Sequence, residues 1–104
     1  MIKNINLKPG TFRPFPSYSE RNAWLALPET IGSYYLGEAA KLKGNEWPSL
    51  PASIYLEFYR NGNRSNYEKL FFSRRRDLLR LLIAECIEGK GEYLDDIING
   101  VWLI

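Results

Sequence analysis

The chain has 104 residues, 45% of them hydrophobic and 25% charged, an ordinary globular balance that argues against disorder. A formal net charge of +2 is too small for the strongly basic face of a nucleic-acid binder. With no histidine and a single cysteine, Cys86, the chain lacks the commonest neutral-pH base and metal ligand, and it can form neither an intrachain disulfide nor a cysteine-based zinc site. No apolar run follows Met1 and no stretch of about 18 apolar residues occurs, so neither a signal peptide nor a membrane span is visible. A cytoplasmic protein without membrane or nucleic-acid partners is expected, or a periplasmic or secreted one if a leader was removed.

In chain order, Pro9, Gly10, Pro14 and Pro16 break regular structure, predicting an irregular arm over 1–18 whose Phe12, Phe15 and Tyr18 pack on a neighbour. Everything from 19 to 104 reads as helical. Ser19 can cap a short helix over 20–27. Pro28 sits where a second helix begins, running to about Lys43 with Gly44 as its stop and with Ile31, Tyr34, Tyr35 and Ala39 at approximate helical spacing. The turn "GNEWPSLP" offers Trp47 as an anchor. Pro51 opens a third helix to about Asn61, with Ile54, Leu56, Phe58 and Tyr59 available for burial and Gly62 as a left-handed exit. Ser65, with Glu68 three residues on, forms a capping-box pattern that launches a helix ending at Gly89. The short join between these two helices predicts an antiparallel hairpin.

Leu78, Leu79, Leu81, Leu82 and Ile83 cover most of the circumference of the fourth helix, so it requires neighbours on several sides. Leu94, Ile97, Ile98, Val101 and Trp102 form an apolar stripe on a last helix, which ends without a polar stop. That ending leads to the expectation of a truncated parent, since an isolated domain would expose the stripe to water. Gly100, inside this helix, costs about 1 kcal/mol relative to alanine, which predicts a close approach by a neighbour.

Charge is unevenly placed. Residues 57–80 carry seven Arg and Lys against three acids, whereas residues 85–96 carry five acids against Lys90. Arg74, Arg75 and Arg76 fan over about 200° of a helix and form no single face. Asp77 is expected to pair with Arg74 and Arg80 at i±3. The better candidate for binding is the corner "RNGNRSNY", where Asn61, Asn63, Arg64 and Tyr67 cluster near a helix N-terminus whose amides and dipole favour an anion. Turn chemistry is the first explanation of the asparagines, and ring packing that of Tyr67. Asp95 and Asp96, adjacent on a helix, point about 100° apart and suit the dipole at a helix start rather than a metal. Trp24, Trp47 and Trp102 read first as packing residues, as does Cys86.

Residues 47–104, and above all "EFYRNGNRSNYE" and "AECIEGKGEYLDDIINGVW", resemble the N-terminal helices of heparinase II/III-like proteins. The resemblance implies an all-α segment, a set of antiparallel hairpins forming the first part of an incomplete α/α toroid. It also implies a parent that cleaves acidic polysaccharide by β-elimination and supplies further toroid helices and a β-sandwich as partners. In such a reaction a cation or amide neutralises the uronate carboxylate, a base removes the C5 proton and an acid protonates the leaving oxygen. The residues that do this in the family are expected past position 104. No catalytic residue, cofactor or metal is therefore assigned to this chain, and Asn61, Asn63, Arg64 and Tyr67 are its substrate-facing candidates. The competing expectation is a free-standing helical module that binds a partner or self-associates through exposed apolar faces. A nucleic-acid binder acting through residues 74–80 ranks below both.

Overall fold

The computed structural model describes residues 8–104, with five helices and no strand among the described residues. They are α1 (Arg21–Leu25), α2 (Glu29–Leu42), α3 (Ala52–Asn61), α4 (Ser65–Glu88) and α5 (Leu94–Leu103). The protein is all-α. Residues 1–7 of the expected arm lie outside the described residues, and 8–18 form neither helix nor strand. Phe12 and Phe15 stand in solvent, contrary to expectation, whereas Tyr18 reaches α4 and donates its hydroxyl to Glu85 Oε2 at 3.1 Å.

Helix boundaries follow backbone chemistry more closely than side-chain capping. Pro28 and Pro51 stand immediately before α2 and α3 with extended ψ values of 140° and 144°. Gly44, Gly62 and Gly89 close α2, α3 and α4 with φ near +77°, +77° and +69°, a conformation that costs glycine least. Neither expected serine cap forms, and only at α4 does a neighbouring side chain take its place. At α1, the Glu20 carboxylate turns back to accept the Ser17 N–H and the Arg13 guanidinium, while the Ser19 hydroxyl pairs with that of Ser17 and its carbonyl accepts the Arg21 N–H. At α4, Asn63 Oδ1 accepts the Asn66 N–H at 3.1 Å, and Glu68 pairs with Arg64 instead of reaching back to Ser65. An asparagine two residues upstream caps as well as serine does, so the helix takes it first.

The core forms where α2, α4 and α5 meet. Ala39 of α2 and Ala84 of α4 are fully buried, and such small side chains allow two helices to approach closely. Leu81, Tyr93 and Ile97 complete the cluster, with Leu36, Leu42, Trp47 and Leu78 packed around it. α1 adds the buried Trp24, whose indole N–H donates to Ser17 O at 3.0 Å. The expected close approach at Gly100 is present. A β-carbon there would lie 2.5 Å from the Trp47 ring, and the Trp47 indole N–H donates to Asp96 O at 3.0 Å. Asp96 also accepts the Gly44 N–H, so this carboxylate ties the end of α2 to the start of α5.

Two expectations of burial fail. α3 buries none of its residues, and Leu56, Phe58 and Tyr59 face water. Of the α5 stripe only Ile97 is buried; Leu94, Ile98, Val101 and Trp102 remain exposed. α4 has neighbours on several sides, as its apolar circumference requires, yet Leu79 and Leu82 stay open. The resulting body is broad and flat, 48 × 47 × 25 Å.

Candidate functional site

The α3–α4 corner places the four candidate residues within one turn, and their roles divide. Asn61 Oδ1 accepts the Asn63 N–H at 2.8 Å, and Asn63 caps α4, so both asparagines spend their acceptors on the turn. Asn66 Nδ2 donates to Glu57 Oε2 at 3.0 Å and fastens the corner from its other side. The Asn61 and Asn63 carboxamides therefore serve the backbone first.

Arg64 and Tyr67 face a common groove. Arg64 Nε lies 2.7 Å from Glu68 Oε1, one helical turn away, so its charge is already partnered. Tyr67 is half-buried in an aromatic run: Tyr55 meets it edge-on at 5.2 Å, and Phe71 stacks on it at 5.5 Å. Phe71 in turn carries the Arg75 guanidinium 3.7 Å from its ring centroid. Tyr55, Phe58, Tyr67, Phe71 and Phe72 wall a groove of about 370 Å³, which the Arg64–Glu68 pair also lines. This arrangement offers flat apolar faces beside one neutralised ion pair. It suits a ring-shaped or apolar ligand and has no poised base, nucleophile or unpaired cation.

The sequence reading missed the role of Glu85 and placed Arg74 and Trp102 differently from where the structure has them. Glu85 is only 2% exposed, and its carboxylate accepts from the Tyr18 hydroxyl and from the backbone N–H groups of Gly91 and Tyr93, at 2.8–3.1 Å. It thereby holds the arm and the α4–α5 turn together. Arg21 adds to this lock by donating to Tyr18 O and Ile87 O. Arg74 does not pair with Asp77. It is 6% exposed, and its Nη2 donates to Leu103 O at 2.7 Å in the last turn of α5, where the helix dipole favours a cation. Asp77 is taken by Arg76 and Arg80 instead. The third feature is Trp102, 89% exposed, beside a cleft of about 560 Å³ that Asp96 and Asn99 also line.

Titration follows the same geography. The hydrogen bond from Lys43 holds the Glu92 carboxyl below its ordinary value, and that bond raises the Lys43 ammonium above its own. Burial pushes the Tyr93 phenol and the Cys86 thiol up, which makes Cys86 a poor nucleophile. Only for Glu85 did the sequence hold a hint, an acid surrounded by apolar positions and followed by glycines. Among the described residues no helix is long and apolar enough to cross a membrane. No family model matches the sequence, and no curated protein matches it.

Proposed function

We propose that this chain is a helical scaffold against which further helices dock, and that it serves as the N-terminal part of a heparinase II/III-like polysaccharide lyase. The observation that carries the scaffold reading is the exposed stripe Leu94, Ile98, Val101 and Trp102 on α5. A well-ordered helix that presents four apolar side chains on one side is the kind of surface on which another helix packs. The resemblance of residues 47–104 supplies the lyase part. Acidic polysaccharide is the substrate class, the remaining toroid and β-sandwich are the partners, and the acid–base chemistry belongs to those partners. Within this chain the Arg64–Tyr67 groove is the substrate-facing edge.

The second reading, a self-associating module, draws on the same stripe with another copy as its occupant. One experiment separates them. The open reading frame containing these residues is expressed in full beside the 104-residue chain. Both are assayed for ultraviolet absorbance of unsaturated uronate on a panel of acidic polysaccharides, and both are sedimented. Lyase activity in a longer protein and none in the chain alone supports the scaffold. An inactive protein in which the chain forms dimers that Val101→Asp dissociates supports the module and removes the lyase.

A further inference from the structure

One side of α4 is an open seam. Its buried residues Arg74, Leu81, Ala84 and Glu85 face the other helices. On the opposite side Phe72, Leu79 and Leu82 are 60%, 51% and 45% exposed, with Ile83 half-buried beside them. Positions 72, 75, 79, 82 and 86 recur at alternating steps of three and four, the spacing at which one helix interlocks with another. Arg75 is the one charged side chain at these five positions, and the half-buried Cys86 closes the row. Apart from Phe72, which also edges the aromatic groove, the seam belongs neither to the core nor to that groove.

Charge selects the occupant. Residues 57–80 carry seven Arg and Lys against three acids, a net +4, and residues 85–96 carry five acids against Lys90, a net −4. α4 joins the two segments, so it has a cationic end and an anionic end, and its own dipole adds partial negative charge at the anionic one. A second copy laid antiparallel sets opposite charges side by side. A parallel copy would instead set Arg75 and Arg76 against their own counterparts, where like charges repel. Centred on Leu79, the antiparallel pair brings Phe72 opposite Cys86 of the second copy. It also lays the apolar stems of Arg75 and Arg76 over Ile83 and Leu82 of that copy, with their charged heads free to reach water.

We propose that α4 is a self-association helix, through which two copies of the chain pack antiparallel across the Phe72–Leu82 seam about a twofold axis at Leu79. The same surface is used by both copies, so the pairing closes at a dimer. From residue 72 to residue 86 the seam runs about 21 Å. That is short for a permanent interface, so the dimer is reversible and its population rises with concentration. The surface is distinct from the α5 stripe and from the Arg64–Tyr67 groove. It does not depend on the lyase reading: activity, found or absent, leaves this inference standing.

The test is sedimentation of the whole 104-residue chain over a wide concentration range, combined with disulfide trapping. Wild type is expected to pass from monomer to dimer, and to do so less readily at high salt, which screens the opposed charges. Leu79→Asp places two like charges at the axis and should raise the dissociation constant about tenfold or more. Val101→Asp, on the α5 stripe, should leave it unchanged. Under mild oxidation Phe72→Cys is expected to give a dimer linked between position 72 of one copy and Cys86 of the other. Wild type should not link through its own two Cys86 thiols, which lie at opposite ends of the seam. The trapping reads the geometry directly, so the test survives any loss of fold in Leu79→Asp. Three results would overturn the inference: a Cys86–Cys86 linkage, which means parallel packing; a chain monomeric at every concentration, which leaves the seam to another partner; and dimers that Val101→Asp dissociates but Leu79→Asp does not, which moves the interface to α5.

Discussion

The two ends of α4 belong to one continuous helix but are built on different principles. At the C-terminal end, Glu85 and Leu81 are buried, every hydrogen bond of the Glu85 carboxylate goes to a named partner, and the following turn is locked to the N-terminal arm. At the N-terminal end, Tyr55, Phe58 and Phe72 are exposed around Tyr67, and α3 contributes no buried residue. Both ends are rich in large side chains, so hydrophobic content does not separate them. What separates them is the number of helices that converge. Three elements, α1, α2 and α5, close over the C-terminal half, whereas α3 meets the other end chiefly at the hairpin. Stability is therefore concentrated at one end, and the open aromatic surface available for ligands lies at the other.

The largest expected contrast is between a core residue and an exposed one of similar hydrophobic character. Leu81→Ala should cost about 2–5 kcal/mol in chemical denaturation, because it leaves a cavity among α2, α4 and α5. Tyr59→Ala, at a position 89% exposed, should stay within about 0.5 kcal/mol. Equal losses at the two positions would remove the contrast between the ends of α4.

Polar residues should divide in the same way. Glu85→Ala leaves two backbone N–H groups and a tyrosine hydroxyl without an acceptor, for a loss of about 2–4 kcal/mol together with faster amide exchange at Gly91 and Tyr93. Breaking the Arg64–Glu68 pair with Glu68→Gln should cost under about 1 kcal/mol, since both side chains reach water. Next in size, Gly100→Ala should destabilise by about 1–3 kcal/mol and change Trp47 fluorescence, as the new methyl group displaces the indole.

The smallest effect is in the pH dependence. The depressed Glu92 carboxyl contributes stability that is present above 4.5 and is lost as pH falls through its lowered value. The raised Lys43 ammonium contributes stability that is present below 10.5 and is lost as pH rises through its elevated value. The thermal midpoint of wild type should therefore fall on both sides of a plateau, and Lys43→Met should reduce both slopes. Identical pH profiles for the two proteins would show that this surface pair does not contribute.

Much of the architecture was legible from local chemistry. Pro28, Pro51, Gly44, Gly62 and Gly89 mark helix limits because their backbone preferences act on the residue itself and need no distant partner. The interruption of α5 by Gly100 likewise announced a close neighbour, and Trp47 was a visible anchor. Caps were less legible, since Ser19 turns its hydroxyl to Ser17 and Asn63, not Ser65, accepts an N–H of the first turn of α4, choices that local geometry decides. The four residues of the candidate corner do fall within one turn, but sequence could not show that its asparagines would be spent on the turn or that Glu68 would neutralise Arg64.

By itself, then, the sequence determined an all-helical chain, the order and approximate limits of its helices, and the lack of histidine chemistry, because each of these follows from single residues or from short-range periodicity. Tertiary structure alone decided which apolar faces are covered. An amphipathic stripe records only that a helix has a face to bury, and α5 satisfies that requirement with Ile97 while leaving Trp102 in water. It also decided the fate of the charges. Arg74 stands one turn from Asp77 along the helix, yet the last turn of α5, 29 residues away in sequence, offers it a carbonyl at 2.7 Å and closes it from solvent. Electrostatic partners are chosen by distance in space, and that distance exists only once the helices have packed.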